Sequence, residues 1–403
     1  MTPKNNSQPK IRKHMTLKYI LISGFFILIF GVFIFLNLSK LYPVNYEVKD
    51  VSQTIDEQEV KIDEVVIDEK PPMTHIKTPE AVKAIYMSSW VASDRTFRNK
   101  LIKIADETEI NSLVIDIKDY TGMISFNVTD PYLKEIGSSK DRIKNIWEFI
   151  SELHQKNIYV IGRIAVFQDP YFIKKRPDLA VKKKTDKTLV WKDRKGISWI
   201  DAGSEDMWDY TVAIAKEAYA VGFDEINFDY IRFPTDGDMQ NIYFPVSNGL
   251  SKSEVMKNFF SYLREKLKDT GIPMSADVFG LVATSQDDLN IGQVLENTLP
   301  YFDYVSPMVY PSHYPRGWNG YKNPASKPYE IIKFAMDKAV ERAKVMGENP
   351  LKMRPWIQDF NLGATYTPEM IRLEKKAIYD SGLNSFMIWD PGNTYTIGAL
   401  DSQ

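Results

Sequence analysis

Two aspartates in this chain each end a short apolar run. Asp229 lies in "GFDEINFDYIRFP" (222–234), and Asp277 lies in "SADVFG" (275–280). A third, Asp116, has the same setting in "LVIDIKD" (113–119). Carboxyl pairs of this kind suit glycosidic bond cleavage. One protonates the leaving oxygen, and the other attacks the anomeric carbon or activates a water. Lys118 and Arg163 are cations that can hold a neighbouring carboxylate ionised. Tyr310, Trp356 and Trp389 offer flat faces on which a sugar ring could stack, as do Trp90 and Tyr120. Asp119, Arg232, His313, Gln358 and Asp390 offer polar contacts near the same positions. Each also has an ordinary structural reading: an ion pair between Asp116 and Lys118 or Arg163, aromatic packing, or a loop histidine.

These residues need a scaffold that brings distant segments to one place. From Ala81 onward, short apolar strands alternate with amphipathic stretches. Strands are expected over Val82–Ser89, Ser112–Lys118, Ile158–Ala165, Phe223–Tyr230, Pro273–Phe279, Tyr304–Tyr310, Lys352–Gln358 and Ser385–Trp389. Helices are expected over Asp94–Glu107, Asp141–Gln155, Ser204–Val221, Lys252–Thr270, Ile291–Thr298, Lys327–Met346 and Pro368–Ser381. Gly222, Gly271, Gly347 and Gly382 stand where helices end, as C-terminal caps do. Eight strands with helices between them describe an α/β fold, a (β/α)8 TIM barrel. The alternative, a doubly wound open sheet, calls for an early Gly-rich phosphate loop, which the sequence lacks.

Barrel strands point alternate residues inward, and functional groups gather at their C-terminal ends. That rule turns Asp116, Lys118, Arg163, Glu225, Asn227, Asp229, Ser275, Asp277, Ser306, Met308, Tyr310, Arg354, Trp356, Gln358 and Trp389 inward. It leaves Asp119 and Asp390 at the rim. Buried charges cost several kcal/mol each unless paired, so this many polar groups in one lumen implies a site. Glu225, Asn227 and Arg354 read as lower, structural groups. Asp224 reads as an outward-facing folding feature.

Composition narrows the chemistry. The 403 residues contain no cysteine and only four histidines, and the formal net charge is −2. Disulfide frameworks and cysteine-based zinc modules are excluded. No metal or cofactor is expected, and nothing in the charge points to a nucleic-acid partner. Residues 19–38 contain the uncharged run Tyr19–Leu36, about as long as the shortest membrane-spanning helices, roughly 17–25 residues. Lys4, Lys10, Arg12, Lys13 and Lys18 precede it, which places the basic tail, 1–18, in the cytoplasm and the rest outside. A cleaved signal peptide is the alternative. Residues 39–80 read as an acidic, flexible stalk, and residues 81–403 as the barrel. The expected location is the cell membrane, with a single pass and an extracellular catalytic domain.

"GFDEINFDYIRFP" resembles the signature of a bacterial glycoside hydrolase domain family, whose members read G-F-D-E-I-x-F-D-Y-[IV]-R-F-P. "VIDIKDYTG" (114–122), "VWKDRKGISWID" (190–201), "SPMVYPSHY" (306–314) and "FMIWDP" (386–391) are similar to further blocks of that family, in the same order. The likeness covers about residues 82–400. It implies a TIM barrel similar to the α-amylase-like glycosidases. That class commonly carries a nucleophile after strand 4 and an acid after strand 5 or 6, which map onto Asp229 and Asp277. One departure is that the strand-5 acid of that group is usually Glu. Asp116 and Asp119 therefore stay open as partners for Asp229.

The expected substrate is a polysaccharide. Lys174, Lys175, Arg176, Lys182, Lys183, Lys184, Lys187, Lys192, Arg194 and Lys195 make the loop from Phe167 to Gly203 basic, as a loop holding an anionic wall polymer would be. A solvated lysine-rich loop reads equally well. Within it, Trp191, Trp199 and Asp201 are expected to approach the rim as a lid. Two other functions fit the residues: a non-catalytic glycan-binding barrel, and a metal-dependent hydrolase using Asp116, Asp229 and Asp277.

Overall fold

The computed structural model describes residues 73–403. The expected tail, membrane span and most of the stalk lie outside them. Among the described residues, no helix is long and apolar enough to cross a membrane.

Eight parallel strands close into a barrel. They are β1 (Lys83–Met87), β2 (Ser112–Lys118), β3 (Tyr159–Ala165), β4 (Glu225–Asp229), β5 (Met274–Phe279), β6 (Tyr304–Met308), β7 (Trp356–Gln358) and β8 (Phe386–Trp389). Each strand neighbours the next in sequence. Closure comes from β1, where Ala84 pairs with both Ser112 of β2 and Met387 of β8. Helices Arg95–Glu107, Ile146–Gln155, Glu205–Ala220, Lys252–Leu267, Leu295–Thr298, Pro328–Val345 and Pro368–Asp380 fall where helices are expected. Two are shorter at their N-terminal ends. At Ile146–Gln155, Asn145 takes a left-handed φ of 51° and stops the helix from extending backwards. After β8 only a turn, Ile397–Ala399, remains.

Prolines trim two strands. Pro355 has no N–H for a ladder, and Pro350–Lys352 is a 3-10 turn, so β7 begins only at Trp356. Pro307 lies within β6, and β6 meets β7 at one register pair, Met308 with Trp356.

Outward residues Leu113, Ile115, Ile117, Ile226, Phe228, Ala276 and Val278 are fully buried against the helices. A second apolar cluster fills the lumen, with Val82, Ala84, Tyr86, Val114, Tyr159, Ile161, Trp356 and Met387. Below it, Arg354 Nη1 donates to Glu225 at 2.8 Å and the guanidinium lies 3.8 Å from the Tyr304 ring. Tyr159 donates its hydroxyl to the same Glu225 at 3.0 Å. This closes the floor with paired charges.

The end of the expected stalk belongs to that floor. The Ile76 N–H donates to Asp224 Oδ1 at 2.7 Å, and Thr78 bonds the Tyr159 hydroxyl at 2.9 Å. Asp224 Oδ2 also accepts from Val160 N–H at 2.8 Å and lies 3.0 Å from His154 Nε2. His75 stacks on Tyr219 at 3.7 Å. Gly222 has φ 117°, and a Cβ there would come within 2.8 Å of the Met73 side chain. Only glycine allows both that turn and that approach.

Candidate active site

The barrel mouth holds a cavity of about 290 Å³. Asp229 reaches it from the last position of β4, and Asp277 from the adjacent β5. Arg163 reaches the same cavity from β3, which flanks β4 on the side away from β5. Its Nη2 and Nε donate to Asp229 Oδ2 at 2.5 and 3.1 Å, its Nη1 donates to Asp116 Oδ1 at 2.6 Å, and Asp277 Oδ2 lies 4.0 Å from Nε. One guanidinium thus serves three carboxyl groups. A planar fork with several fixed donors can do this, and an ammonium on a flexible stem cannot match it.

The chain at the top of β4 is bent to suit. Tyr230 has φ 54°, unusual for a bulky residue and a mark of stored strain, of order 1–3 kcal/mol. In this conformation its N–H turns back to Asp229 Oδ1 at 2.6 Å. Both oxygens of Asp229 therefore have fixed donors while the group stays at the cavity wall.

Asp277 is more enclosed, with 1% of its surface exposed. Asn227 Nδ2 donates to its Oδ1 at 2.9 Å, and Trp356 Nε1 donates to the same oxygen at 2.8 Å. Burial pushes its acidity constant up, and the charge of Asp229 adds to that. Arg163, Asn227 and Trp356 oppose the rise, and the outcome is about 8. Asp277 is thus a buried carboxyl pushed toward its protonated form, as a general acid is, beside a carboxylate that is ion-paired with Arg163.

Eight of the residues expected at the site line this cavity: Asp229, Asp277, Arg163, Arg232, Tyr310, His313, Trp356 and Trp389. Trp356 reaches it mainly as a hydrogen-bond donor, because its ring is buried. Five others lie elsewhere. Asp116 sits behind Arg163 and accepts the Tyr86 hydroxyl at 2.6 Å; burial raises its acidity constant while Arg163 and Tyr86 pull the other way. Lys118 leaves the lumen because β2 carries a register shift between Asp116 and Lys118, so that they pair with Arg163 and Ile164, which are consecutive. Its ammonium is fully buried and donates to Asp169 at 2.6 Å, beside the Tyr210 ring of an outer helix, and makes no bond to Asp116. Asp119 is held by Arg142 at 2.7 Å and by the Thr121 N–H at 3.0 Å. Gln358 is fully buried, accepting from the Ser312 hydroxyl at 2.8 Å and donating to the Phe360 carbonyl at 2.8 Å. Asp390 accepts the Thr394 N–H at 2.9 Å and shapes a rim turn.

The expected lid is packing instead. Trp191 and Trp199 are buried, and Asp201 is tied down by the N–H groups of Val246 and Ser247 at 2.7 and 3.0 Å. Of the WKDRKGISWID stretch, only Lys195 reaches the cavity. Residues beyond the expected set also contribute. Tyr230, Phe279 and Met308 line the wall, and Tyr86 stacks on Trp389 at 4.1 Å while bonding Asp116. Tyr86 is two residues beyond Ala84 on β1, so the alternation rule, if carried to the first strand, would have found it.

Among the described residues, no group of three carboxylates or histidines is disposed to hold a metal ion. Arg163 lies among Asp116, Asp229 and Asp277, where a cation would have to sit.

A family model described as "Putative glycosyl hydrolase domain" matches residues 84–395. Among solved structures, the glycoside hydrolase domain of PgaB (BpsB) from Bordetella bronchiseptica is similar with a TM-score of 0.56 and 13% identity, over 78% of this chain and 95% of that one. That likeness concerns the fold. A hypothetical protein from Ruminiclostridium thermocellum shares 38% identity over 48% of this chain and 97% of its own, with a TM-score of 0.44. A chitinase from Chromobacterium violaceum gives a TM-score of 0.46 at 14% identity, over 79% of this chain and 97% of that one. No curated protein matches the chain.

Proposed function

The chain belongs to this glycosyl hydrolase domain family, and from that premise we propose that it cleaves a polysaccharide with Asp277 as general acid and Asp229 as nucleophile or base. The observation that carries the proposal is the difference between two carboxyls that share one cavity and one arginine. Asp277 Oδ1 is engaged by two donors, so the proton resides on Oδ2, the oxygen 4.0 Å from Arg163 Nε, in a residue that lines the cavity. From there it passes to the glycosidic oxygen as the bond breaks. Asp229 is ion-paired with Arg163, whose Nη2 lies 2.5 Å from its Oδ2. It meets the oxocarbenium-like carbon directly or through a water. Trp389, Tyr310 and Phe279 give the sugar apolar walls.

The uncharged run Tyr19–Leu36 and the basic residues before it support the further reading that the enzyme is anchored in the cell membrane and works outside it, on a polymer of the cell envelope. Protease accessibility on intact cells tests this. The barrel should be digested from outside, and protection of the barrel until lysis would refute it.

A glycan-panel hydrolysis assay tests the chemistry, with Asp229→Asn and Asp277→Asn beside the wild type. Cleavage by the wild type and a loss of at least about 10²-fold in each variant is expected. Full activity in Asp229→Asn would sink the mechanism. Glycan binding without cleavage, unchanged in both variants, would mark a non-catalytic binding barrel. Loss of activity with a chelator would point to a metal-dependent hydrolase.

A further inference from the structure

Arg232 stands out among the cations of the barrel mouth. Arg163, Arg142 and Lys118 each have a carboxylate within 2.7 Å. Arg232 forms no ion pair among the described residues, although its guanidinium lies over three rings: Phe279 at 4.7 Å, Trp199 at 4.8 Å and Tyr230 at 5.5 Å. Its Nη1 donates to the Phe233 carbonyl at 3.0 Å and reaches Thr235 Oγ1 at 3.5 Å. Among the described residues, Nε and Nη2 have no acceptor, and they belong to a side chain that lines the cavity. Burial lowers its acidity constant, and the nearby charges of Asp229, Asp236 and Asp193 only partly offset that. A half-buried cation kept without a counter-ion is costly unless an anion arrives.

A second cation is held over the same cavity. Asp193 is a buried carboxylate used for scaffolding. Its Oδ1 accepts the N–H groups of Lys195 and Ile197 at 3.0 and 2.9 Å, and its Oδ2 accepts from Trp199 Nε1 and Gln168 Nε2 at 3.0 and 3.1 Å. The turn this builds projects Lys195 into the cavity lining, where it has no ion-pair partner among the described residues. The nearest carboxylate in sequence is thus spent on backbone and indole. Trp199 links the two cations, lying under Arg232 and bonded to Asp193.

We propose that Arg232 and Lys195 form an anion subsite, which selects a saccharide bearing a carboxylate or a phosphate beside the bond to be cleaved. This rests on the glycosidase reading and specifies its substrate class. The open Nε and Nη2 edge of Arg232 suits two-point recognition of either oxyanion, and Lys195 adds a mobile point charge.

The test is a thermal-shift and calorimetric titration of the purified protein with D-glucuronate, D-glucose 6-phosphate and D-glucose at equal concentration. At least one anion should raise the melting temperature and bind about 10-fold more tightly than glucose. The preferred anion tells carboxylate from phosphate. Lys195→Gln, on an exposed side chain, and Arg232→Gln should each remove most of that preference, Arg232→Lys should restore part of it, and added salt should weaken it. No preference for either anion over glucose would overturn the subsite, as would a preference unchanged in both Gln variants. Cleavage of neutral glycans without anion preference would reject the subsite alone. Anion preference with no glycan cleaved would reject the hydrolase reading and keep the subsite.

Discussion

Trp356 and Asp277 meet through one hydrogen bond, from the indole Nε1 to carboxyl Oδ1 at 2.8 Å. Asn227 donates to that same oxygen. An indole and an amide N–H can only donate, so the proton of a neutral Asp277 must sit on the other oxygen. Two side chains that carry no charge therefore decide which way an acid points.

This relationship sets a pH dependence. With Asp277 titrating at about 8, the acid form prevails at neutral pH, and kcat/KM should fall as pH rises through 8. Trp356→Phe removes a donor that stabilises the ionised form, so the alkaline limb should move to higher pH. A limb unmoved by this change would separate Asp277 from the titrating acid.

The same group sets a stability trade-off. Its folded acidity constant lies above the ordinary value of 3.8, so between about pH 4 and 8 the folded chain binds more protons than the unfolded one. Stability falls as pH rises through that window. Asp277→Asn removes the cost and should melt higher than the wild type, by about 2–4 °C for each kcal/mol recovered, while losing activity. The gap should widen from pH 5 to pH 7.5 in calorimetry. A lower melting temperature at pH 7.5 would refute it.

Arg163→Met removes the shared partner of Asp116 and Asp229. Breaking a buried ion pair from one side costs about 3–5 kcal/mol. Urea unfolding at pH 7 should show a loss of that order, and activity should fall by about 10²-fold or more. The deficit should shrink near pH 4, where protonation relieves the unpaired carboxylates. An equal deficit at both pH values would contradict this.

Asp224 makes the opposite prediction. Burial alone would raise its acidity constant, but the bonds from His154 and the Val160 N–H, with the His75 ring 3.6 Å away, outweigh that and lower it below 3.8. The stability it contributes is present above pH 4 and lost as pH falls through its folded value. Asp224→Ala strands the Ile76 and Val160 N–H donors, at about 1–3 kcal/mol each, and should flatten the acid limb of the stability curve. The kcat and KM of the folded enzyme should stay unchanged, since Asp224 is at the other end of β4 from Asp229.

Much of the site was legible because strand alternation is a rigid geometric rule. Once β4 and β5 are located, Asp229 and Asp277 have to point into the lumen. The rule failed where the ladder does. A register shift in β2 sends Lys118 to the outer layer, and no residue type near it announces the shift. Gln358 obeys the alternation but is captured by Ser312 from the loop after β6, a contact between segments far apart in sequence. Trp191 and Trp199 looked like lid residues because aromatic rings suit both sugars and cores; burial decides between them. Asn227 reads as a structural amide, and its bond to Asp277 depends on the register between β4 and β5. The expected membrane span, residues 19–38, lies outside the described residues.

The floor contacts at Asp224 have a mechanical meaning. Force applied through the N-terminal segment enters the domain at Ile76 and is delivered to the base of β4, the strand whose far tip carries Asp229. The attachment point and the mouth are at opposite poles. Load entering at Ile76 therefore reaches the strand of Asp229 from the end away from the cavity, and the mouth is left clear of the contacts that bear it.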